Sequence, residues 1–382
     1  MIYFDNAATT FPKPAEVIRS VSDCLKNYCG NPGRSAHKLS LAAAEAVYDA
    51  RCEISSFFGS TKPENIIFTQ NATHALNIAI FGIARPGDHI LISNLEHNSV
   101  LRPVAELSRR GVVSYDIFDA LGSDDITLSN IEKSIRKNTR IIITTHISNI
   151  CPKKLPIEKI SELCKNKGIT HIVDISQSAG LYDINMTDGY SVLCAPGHKG
   201  LYGPQGSGFC LFSDDFDFER LRPFSYGGNG VDSKKTSMGS SAPESFEAGT
   251  LAVPNIVGLS NGVKFVKNKS ISKIRAHEAA LSARIKEKLS ERKNIKIYMT
   301  DAEDMSTLLF NATDLTGSEL AGKLSKSGVC TRAGLHCSPL AHEALKTGGD
   351  AVRISFSAFN TFSECDEFIK ILDMACFSLK EK

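Results

Sequence analysis

The sequence lacks a long apolar run, a marked net charge and a recognisable signal peptide, and each absence excludes a class of function. No uninterrupted apolar stretch in the 382 residues approaches the roughly 18 that a membrane-spanning helix requires. The formal net charge of +2 at pH 7 provides no electrostatic basis for binding nucleic acid or an anionic membrane. The N-terminus has no basic region followed by an apolar one, so we expect no secretion signal.

Cysteine is plentiful but follows no recognisable pattern. The 11 cysteines are scattered, with no Cys-x-x-Cys pair and no cluster of His and Cys at the spacing of a zinc site. This distribution predicts free thiols in a reducing cytoplasm and no metal site, rather than a disulfide framework. The hydrophobic fraction of 42% and the charged fraction of 23% are ordinary for a soluble globular protein, and the length suits two domains.

Short apolar segments alternate with helical segments over the first 212 residues. The pattern predicts strands at residues 66–69, 89–93, 112–118, 140–147, 171–175, 190–195 and 208–212. It predicts intervening helices at residues 39–58, 73–84, 100–109, 129–137 and 157–167. This alternation indicates an α/β fold with a mostly parallel, seven-stranded sheet covered on both faces, whose ligands bind at the carboxyl ends of the strands.

The pattern changes after residue 212. Residues 226–247 are rich in Gly and Ser, which is typical of an extended loop or hairpin, and helices are predicted at 257–266 and 272–289. We therefore expect a larger domain formed by residues 13–249. A smaller α+β domain would consist of residues 1–12 and 250–382.

One lysine, Lys199, lies in a glycine-rich turn (PGHKGLYGPQG, residues 196–206) directly after a predicted buried strand. An amine in that position is able to form a Schiff base with an aldehyde cofactor, and pyridoxal phosphate (PLP) is the usual one. The alternative interpretation is a solvated turn residue.

One carboxylate, Asp174, lies among branched apolar residues in the predicted strand 171–175 (HIVDI). A buried charge there needs a cationic partner, and the pyridinium nitrogen of PLP is one such partner. The alternative is an acid that caps a loop at a strand end.

Further motifs extend over nearly the whole chain. In order, they are residues 3–10 (YFDNAATT), 71–73 (NAT), 96–98 (EHN), 145–149 (THISN), 174–177 (DISQ), 198–199 (HK), 246–250 (FEAGT), 332–337 (RAGLHC) and Arg353. Together they resemble the class V branch of fold-type I PLP enzymes, most closely the Suf-type cysteine desulfurase and selenocysteine lyase family. The resemblance implies a fold-type I architecture, PLP as the cofactor and a homodimer.

The resemblance also implies roles for residues around the cofactor ring. Lys199 would carry PLP and later act as the base for the substrate Cα. Asp174 would pair with the pyridinium nitrogen, and Gln177 would hydrogen-bond the ring hydroxyl. His97 would stack on the ring and shuttle protons, although a lone histidine in this position is also typical of an exposed loop.

A second group would hold the phosphate. Thr73 opens a predicted helix, where its hydroxyl and the N-terminal N–H groups suit an anion, and Ala72 directly precedes it. Taken alone, Thr73 is more readily interpreted as a plain N-cap. His198 would bind the phosphate too, and Thr250 would reach it from the other subunit.

At the substrate end, Arg353 matches the family arginine that clamps the substrate carboxylate, while Arg332 and Asn149 match positions in the same pocket. Arg353 is alternatively interpreted as a surface residue of an edge strand. Cys337 would be the nucleophile that takes sulfur from L-cysteine, with Arg332 and His336 near enough in sequence to favour a thiolate. A buried, inert thiol is the alternative for Cys337.

The chain departs from the family pattern next to Lys199. Pro196 replaces a Ser or Thr whose hydroxyl contacts the phosphate in many relatives, and Gly200 looks inserted after the His-Lys pair. These differences bear on phosphate affinity and on the position of Lys199.

The function we expect is conversion of L-cysteine to L-alanine, with a persulfide on Cys337 that passes to an acceptor protein. Three rival functions remain open: a lyase for L-selenocysteine, a class V aminotransferase in which Cys337 is incidental, and a non-catalytic sulfur-relay protein. Comparing the turnover of L-cysteine and L-selenocysteine tests the first. Release of a keto acid favours the second, and a preparation without PLP favours the third.

Overall fold

The computed structural model describes residues 1–33, 35–230, 234–299 and 305–377. The strands are β1 (Ile2–Tyr3), β2 (Ile66–Thr69), β3 (Asp88–Ser93), β4 (Val113–Phe118), β5 (Thr139–Thr145), β6 (Thr170–Asp174), β7 (Val192–Pro196), β8 (Gly208–Phe212), β9 (Ile295–Ile297), β10 (Thr307–Ala312), β11 (Val329–Cys330), β12 (Arg332–Gly334) and β13 (Ala351–Ser355). The helices are α1 (Ala15–Asn27), α2 (Lys38–Phe57), α3 (Ala72–Ile83), α4 (Asn98–Arg109), α5 (Asp124–Ser134), α6 (Ile157–Lys167), α7 (Val253–Lys269), α8 (Ile271–Ser290), α9 (Gly317–Lys326), α10 (Pro339–Ala344) and α11 (Phe362–Phe377). Within these ranges, no helix is both long and apolar enough to cross a membrane.

A seven-stranded sheet with the order β2-β8-β7-β6-β5-β3-β4 forms the first part of the fold. Strands β4, β3, β5, β6 and β7 run parallel, and β8 is antiparallel to both β7 and β2. The predicted α/β fold with a mostly parallel, seven-stranded sheet is therefore confirmed.

Both faces of this sheet are buried because helices cover each of them. In β5, Ile142 packs with the core that includes α2, α6 and α7, whereas Ile141 and Ile143 pack with the core that includes α3 and α4. Successive side chains of a strand point to opposite faces, so a doubly covered strand reads as a continuous apolar run. This is why the short apolar segments were recognisable in the sequence.

A second, antiparallel sheet has the order β12-β13-β10-β9, and β1 pairs in parallel with β11. Ile2 and Phe4 join a third core with residues of α8, α9 and α11. Helix α7 and Ile274 at the start of α8 pack with the core of the large sheet. The domain boundaries near residues 12 and 250 stay a prediction.

Helices α1 and α5 are among those that differ from the sequence-based expectation, which also did not place α9, α10 and α11. Helix α5 begins about one turn earlier than predicted because Ser123 caps it, its side chain accepting the Ile126 N–H, and Asp124 and Asp125 favour the positive end of the helix dipole. Helix α1 was not predicted at all. Its apolar positions 17, 18, 21, 24 and 25 follow a helical stripe, but only part of it is covered: Val17 and Cys24 are buried, whereas Ile18 and Leu25 are exposed in the described chain.

A buried ion pair covers the free edge of β2, which is the edge strand of the large sheet. Arg51 donates to the Ile66 carbonyl oxygen and pairs with Glu247, and Glu247 accepts the Phe68 N–H. Both charged side chains are nearly fully buried, and the Arg51 guanidinium lies 4.6 Å from the centre of the Phe68 ring. The pair therefore satisfies backbone groups that an exposed edge would offer to another chain.

We expect Glu247→Ala to lower the free energy of unfolding by about 3–5 kcal/mol, because it leaves the Arg51 charge buried without its partner. Urea unfolding followed by circular dichroism measures the change. The control is Glu244→Ala at an exposed position, which should change the stability by less than about 0.5 kcal/mol. Equal effects of the two substitutions would contradict a special role for the ion pair.

Candidate active site

The carboxyl ends of the parallel strands face a cleft of about 220 Å³, which the loop after β12 closes on one side. Every residue predicted for the site lines this cleft except Thr250. These residues are Lys199, Cys337, His97, Asp174, Gln177, Ala72, Thr73, His198, Arg353, Arg332 and Asn149. Thr250 is exposed and lies outside the cleft, just before α7.

Lys199 lies in a tight turn that follows β7. Its carbonyl oxygen accepts the Tyr202 N–H at 2.8 Å. A Cβ at the next residue, Gly200, would lie 2.4 Å from the Ala179 carbonyl oxygen, so only glycine lets the turn approach that backbone. Burial lowers the pKa of the Lys199 amine to about 8, against a raising effect of Asp174 and with a smaller lowering effect of Arg353. The amine is therefore neutral to a useful extent near neutral pH.

Asp174 ends β6 with its carboxylate directed to the site. The residue is 3% exposed, and its Oδ1 accepts the Ser176 N–H at 2.9 Å. None of the ion pairs among the described residues includes Asp174. The Asp174 carboxylate is thus buried with one hydrogen bond and no cationic side chain of the described residues within 4 Å. A cationic group of a ligand would stabilise it.

The ring of His97 is fixed by the first turn of α4. His97 is the N-cap of this helix, and its Nδ1 accepts the Ser99 N–H at 3.1 Å while also lying 2.8 Å from the Ser99 hydroxyl. Burial and the nearby Lys199 charge lower the pKa of His97 to about 4. Since a backbone N–H donates to Nδ1, the neutral ring carries its proton on Nε2. His97 is not the exposed loop residue of the alternative interpretation.

Gln177 and the first turn of α3 occupy the other side of the cleft. The side-chain amide of Gln177 donates to the Ala7 carbonyl oxygen at 3.1 Å, which leaves its second hydrogen for another acceptor. The N-cap of α3 is Asn71, whose side chain accepts the His74 N–H at 2.9 Å, so the alternative of Thr73 as the N-cap is wrong. Ala72 and Thr73 instead lie in the first turn, where N–H groups have no acceptor within the helix.

His198 also lines this part of the cleft and has an unsatisfied atom. Its buried Nδ1 has no hydrogen-bond partner within the described chain, and burial lowers the pKa of the ring to about 4. The neighbouring Pro196 lines the cleft and offers no hydroxyl. His198 Nδ1 therefore remains as a polar group that a ligand oxygen is able to satisfy.

Arg353 lies in the centre of the smaller sheet, since β13 is flanked by β12 and β10. It is 1% exposed, which excludes the alternative of a surface arginine on an edge strand. Its Nη1 donates to the Asn149 carbonyl oxygen and its Nη2 to Asp5, each at 2.8 Å, while Nε is buried without a partner in the described structure. One hydrogen on each terminal nitrogen remains for a ligand.

Cys337 is partly exposed to the cleft, unlike the buried and inert thiol of the alternative interpretation. The Arg332 Nη2 lies 3.7 Å from the Cys337 sulfur and is placed to stabilise a thiolate. The expectation that His336 contributes charge as well is wrong. Burial lowers the pKa of His336 to about 3, so its ring is neutral, and the ring contacts the Arg332 carbonyl oxygen and His342.

A larger cleft of about 600 Å³ lies at the opposite, amino-terminal edge of the large sheet. Its lining combines basic and acidic side chains such as Arg85, Arg140 and Asp217, but among the described residues it includes neither a lysine nor a cysteine. The described ranges also hold no group of three His, Cys, Asp or Glu side chains able to bind a metal ion. The cleft at the carboxyl edge is therefore the one with the groups for covalent chemistry.

Comparison with known proteins agrees with this arrangement. The family model described as Aminotransferase class-V matches residues 2–368. The chain belongs to the class-V aminotransferase family. Its sequence is 31% identical over 370 residues to a protein named probable cysteine desulfurase from Methanothermobacter thermautotrophicus, covering 95% of this chain and 92% of the relative.

One of two further relatives is much longer than this class-V protein. A probable cysteine desulfurase of Mycolicibacterium paratuberculosis is 30% identical over 97% of this chain, but the chain spans only 54% of that protein. The structure of a cysteine desulfurase from Thermococcus onnurineus, solved in its apo form, is similar with a TM-score of 0.90 and 28% identity, covering 99% of this chain and 95% of the solved one. This protein and the solved structure therefore share the fold-type I architecture over 99% of the present chain.

Sequence reasoning did not assign site roles to some residues that the class-V fold brings to the cleft. Asp5, which pairs with Arg353, lies 348 positions from it in the chain, and Thr145 and Ser176 line the cleft beside predicted residues. Asp5 is part of the motif YFDNAATT, but nothing in the motif says which cation it pairs with. Only the crossing of the N-terminal segment to β13 places the two side chains together.

For this class-V protein we expect reductive methylation of Lys199 in the cofactor-free state to reach half its maximum near pH 8. An ordinary lysine would do so near pH 10.5, because only the neutral amine reacts and burial has lowered its pKa. Mass spectrometry of the Lys199 peptide across pH measures the midpoint. Asp174→Asn should move it lower, since Asp174 favours the charged amine, and the exposed Asp183→Asn should not. A midpoint above pH 10 would contradict the lowered pKa of Lys199.

Proposed function

We propose that this protein is a PLP-dependent cysteine desulfurase that converts L-cysteine to L-alanine and receives the sulfur as a persulfide on Cys337. One observation carries the proposal: the amine of Lys199, the guanidinium of Arg353 and the thiol of Cys337 line the same cleft. A class-V aminotransferase needs the amine and the Arg353 guanidinium, but it has no use for a thiol beside the Arg332 guanidinium. The names of the relatives support the same activity.

The residues of the cleft fit PLP at three points. The buried carboxylate of Asp174 has no ion-pair partner in the described structure and suits a protonated pyridine nitrogen. The unsatisfied Nδ1 of His198 and the N–H groups of Ala72 and Thr73 suit a phosphate. Pro196 supplies no hydroxyl, so these groups would bind it without one. Gln177 has one amide hydrogen left for the ring hydroxyl.

When bound, PLP supplies an electron sink that stabilises negative charge at the substrate Cα. Lys199 takes the Cα proton, for which a pKa of about 8 is suitable, because a base works best when its pKa lies near the working pH. His97 would lie against the ring and offers Nε2–H as its remaining polar group, since Ser99 occupies Nδ1. These two side chains would therefore divide proton transfer and orientation between them.

Arg353 would orient the substrate through its carboxylate. Asn149 and Asp5 hold the guanidinium on two sides and leave a pair of N–H groups that matches a planar carboxylate. Arg332 lines the same cleft and adds a second positive charge. The bound L-cysteine would then present its side-chain sulfur to the loop that carries Cys337.

The sulfur step uses the Cys337 thiolate as the nucleophile. An S–S bond forms between Cys337 and the substrate sulfur while the Cβ–S bond of the substrate breaks. The electron pair of the broken bond stays with carbon, which takes up a proton and becomes the methyl group of alanine. One L-cysteine and one protein thiol thus yield one L-alanine and one persulfide, which passes to a sulfur-acceptor protein.

We further propose that the active form is a cytoplasmic homodimer. Thr250 lies outside the cleft of its own chain and is exposed, so its expected contact with the phosphate requires the cleft of a second copy. The segment that holds it is anchored to the large sheet by Glu247, which limits how far Thr250 is able to swing within its own chain.

Cys337→Ser is expected to retain PLP and to form no persulfide from L-cysteine, because a hydroxyl does not displace carbon from sulfur at a useful rate. Alanine is quantified and the added sulfur is located by mass spectrometry. Cys330→Ser, in β11 and outside the cleft, serves as the control and should behave as the wild type. Alanine formation at the wild-type rate by the Cys337 variant would remove Cys337 from the mechanism. Comparing the turnover of L-cysteine and L-selenocysteine by the wild type decides between sulfur and selenium as the natural cargo.

Arg353→Gln is expected to reduce kcat/KM for L-cysteine by about 10- to 150-fold, mainly through KM, since a charged hydrogen bond contributes about 1.5–3 kcal/mol. PLP absorbance shows that the cofactor site survives. Arg292→Gln removes a surface ion pair with Asp373 and should leave the kinetics unchanged. An unchanged KM in the Arg353 variant would mean that another group binds the carboxylate.

A further inference from the structure

The loop that carries Cys337 has an unusual backbone. His336 and Cys337 are consecutive non-glycine residues with φ angles of +50° and +58°. Each left-handed residue of this kind costs roughly 1 kcal/mol or more, so surrounding contacts must hold it. Two contacts reach the backbone: the Asn98 N–H donates to the Cys337 carbonyl oxygen at 2.7 Å, and the Asn149 side chain donates to the His336 carbonyl oxygen at 2.9 Å. Neither contact holds the side chain of His336.

A chain of hydrogen bonds holds that ring instead. His336 Nε2 lies 3.2 Å from the Arg332 carbonyl oxygen, and His336 Nδ1 lies 3.1 Å from His342 Nε2. His342 Nδ1 lies 2.6 Å from the Thr347 hydroxyl, which accepts the Gly349 N–H at 3.2 Å. The two imidazole rings are parallel within 6°, with centres 5.3 Å apart, and both residues are at most 3% exposed.

The direction of every bond in this chain follows from its end. The Arg332 carbonyl oxygen only accepts, so His336 carries its proton on Nε2 and accepts at Nδ1. His342 must then donate from Nε2 and accept at Nδ1 from the Thr347 hydroxyl. Burial lowers the pKa of both rings, to about 3 for His336, so each holds a single proton near neutral pH. Each ring nitrogen of the chain therefore has a partner of the right kind.

This chain of hydrogen bonds connects α10 to His336 and Arg332, the two residues that respectively precede and contact Cys337. His342 lies in α10 and is absent from the lining of the cleft. At the other end, the chain stops on the backbone of Arg332, whose guanidinium lies 3.7 Å from the Cys337 sulfur. It thus fixes the backbone that carries the guanidinium and the ring that precedes the thiol.

We propose that His342 is a positioning residue for Cys337, which holds the left-handed loop so that the thiol stays beside the Arg332 guanidinium. The proposal rests on the proposed function, because it assigns His342 to the nucleophile of that reaction. Without the hydrogen bond from His342, the His336 ring loses a buried partner and the loop relaxes. The Cys337 thiol then loses the charge that favours its ionised form.

The test compares His342→Leu with His342→Gln in the purified holoenzyme. Leucine fills a similar space without a donor, whereas the amide of glutamine is able to donate to His336 Nδ1. The rate of alkylation of Cys337 by iodoacetamide is followed across pH by mass spectrometry of its peptide, with the exposed Cys29 as the internal reference thiol. Kinetic constants for persulfide formation are measured alongside.

We expect the rate of Cys337 alkylation at pH 7 to fall about tenfold in His342→Leu, because the thiol no longer lies beside the Arg332 guanidinium. His342→Gln should restore the rate, and Cys29 should react at the wild-type rate in both. The kcat for persulfide formation should fall about tenfold in His342→Leu, with KM for L-cysteine within about twofold of the wild type. Thr347→Val, which removes the hydroxyl donor to His342, should lower the alkylation rate as well.

An unchanged Cys337 alkylation rate in both His342→Leu and Thr347→Val overturns the proposal. So does an equal loss in His342→Gln and His342→Leu, because a merely structural role would not distinguish a donor from an apolar side chain. If His342→Leu does not fold, the Thr347→Val result decides alone. If the wild type forms no persulfide while the alkylation rate falls as expected, the proposed function fails and the positioning role of His342 stands.

Discussion

The buried guanidinium of Arg353 is the constraint on which the site depends. A charge that is almost fully removed from water is stable only with partners in good geometry, and this one takes them from distant parts of the chain. Asp5 brings the N-terminal segment across to β13, and the Asn149 carbonyl oxygen brings the loop after β5. The same Asn149 accepts from Ser338 and donates to the His336 carbonyl oxygen, so the partner of Arg353 also fixes the loop of Cys337. The proposed carboxylate clamp and the proposed sulfur nucleophile therefore share one support.

Burial also decides the protonation states within the cleft. The pKa values of His97 and His198 are lowered to about 4 and that of Lys199 to about 8, in each case chiefly because the charged form loses its hydration. The histidines are therefore neutral, and the positive charge of the cleft at neutral pH belongs to Arg332, Arg353 and the largely protonated Lys199. A ligand with a phosphate at one end and a carboxylate at the other suits this distribution, because neutral donors surround the first and guanidinium groups the second.

Much of the fold was predictable because the large sheet is covered on both faces. Residues 66–69 and 208–212 were predicted as strands with the bounds of β2 and β8, since a doubly buried strand is a short, continuous apolar run. Prediction was poorer where side chains rather than apolar periodicity define an element. Ser123 moved the start of α5, and Asn71 rather than Thr73 capped α3. Helix α1 was missed although its apolar residues repeat at helical spacing.

The sequence by itself determined the α/β class, the position of Lys199 after a buried strand and the presence of one carboxylate inside another. Each of these depends on residues close together in the chain, where spacing and hydrophobicity suffice. Tertiary structure alone decided that Asp5 pairs with Arg353, that the Arg332 guanidinium reaches the Cys337 sulfur, and that His342 supports His336. Such contacts depend on hydrogen-bond direction and on which groups lose their water, and both are set only when distant segments pack together.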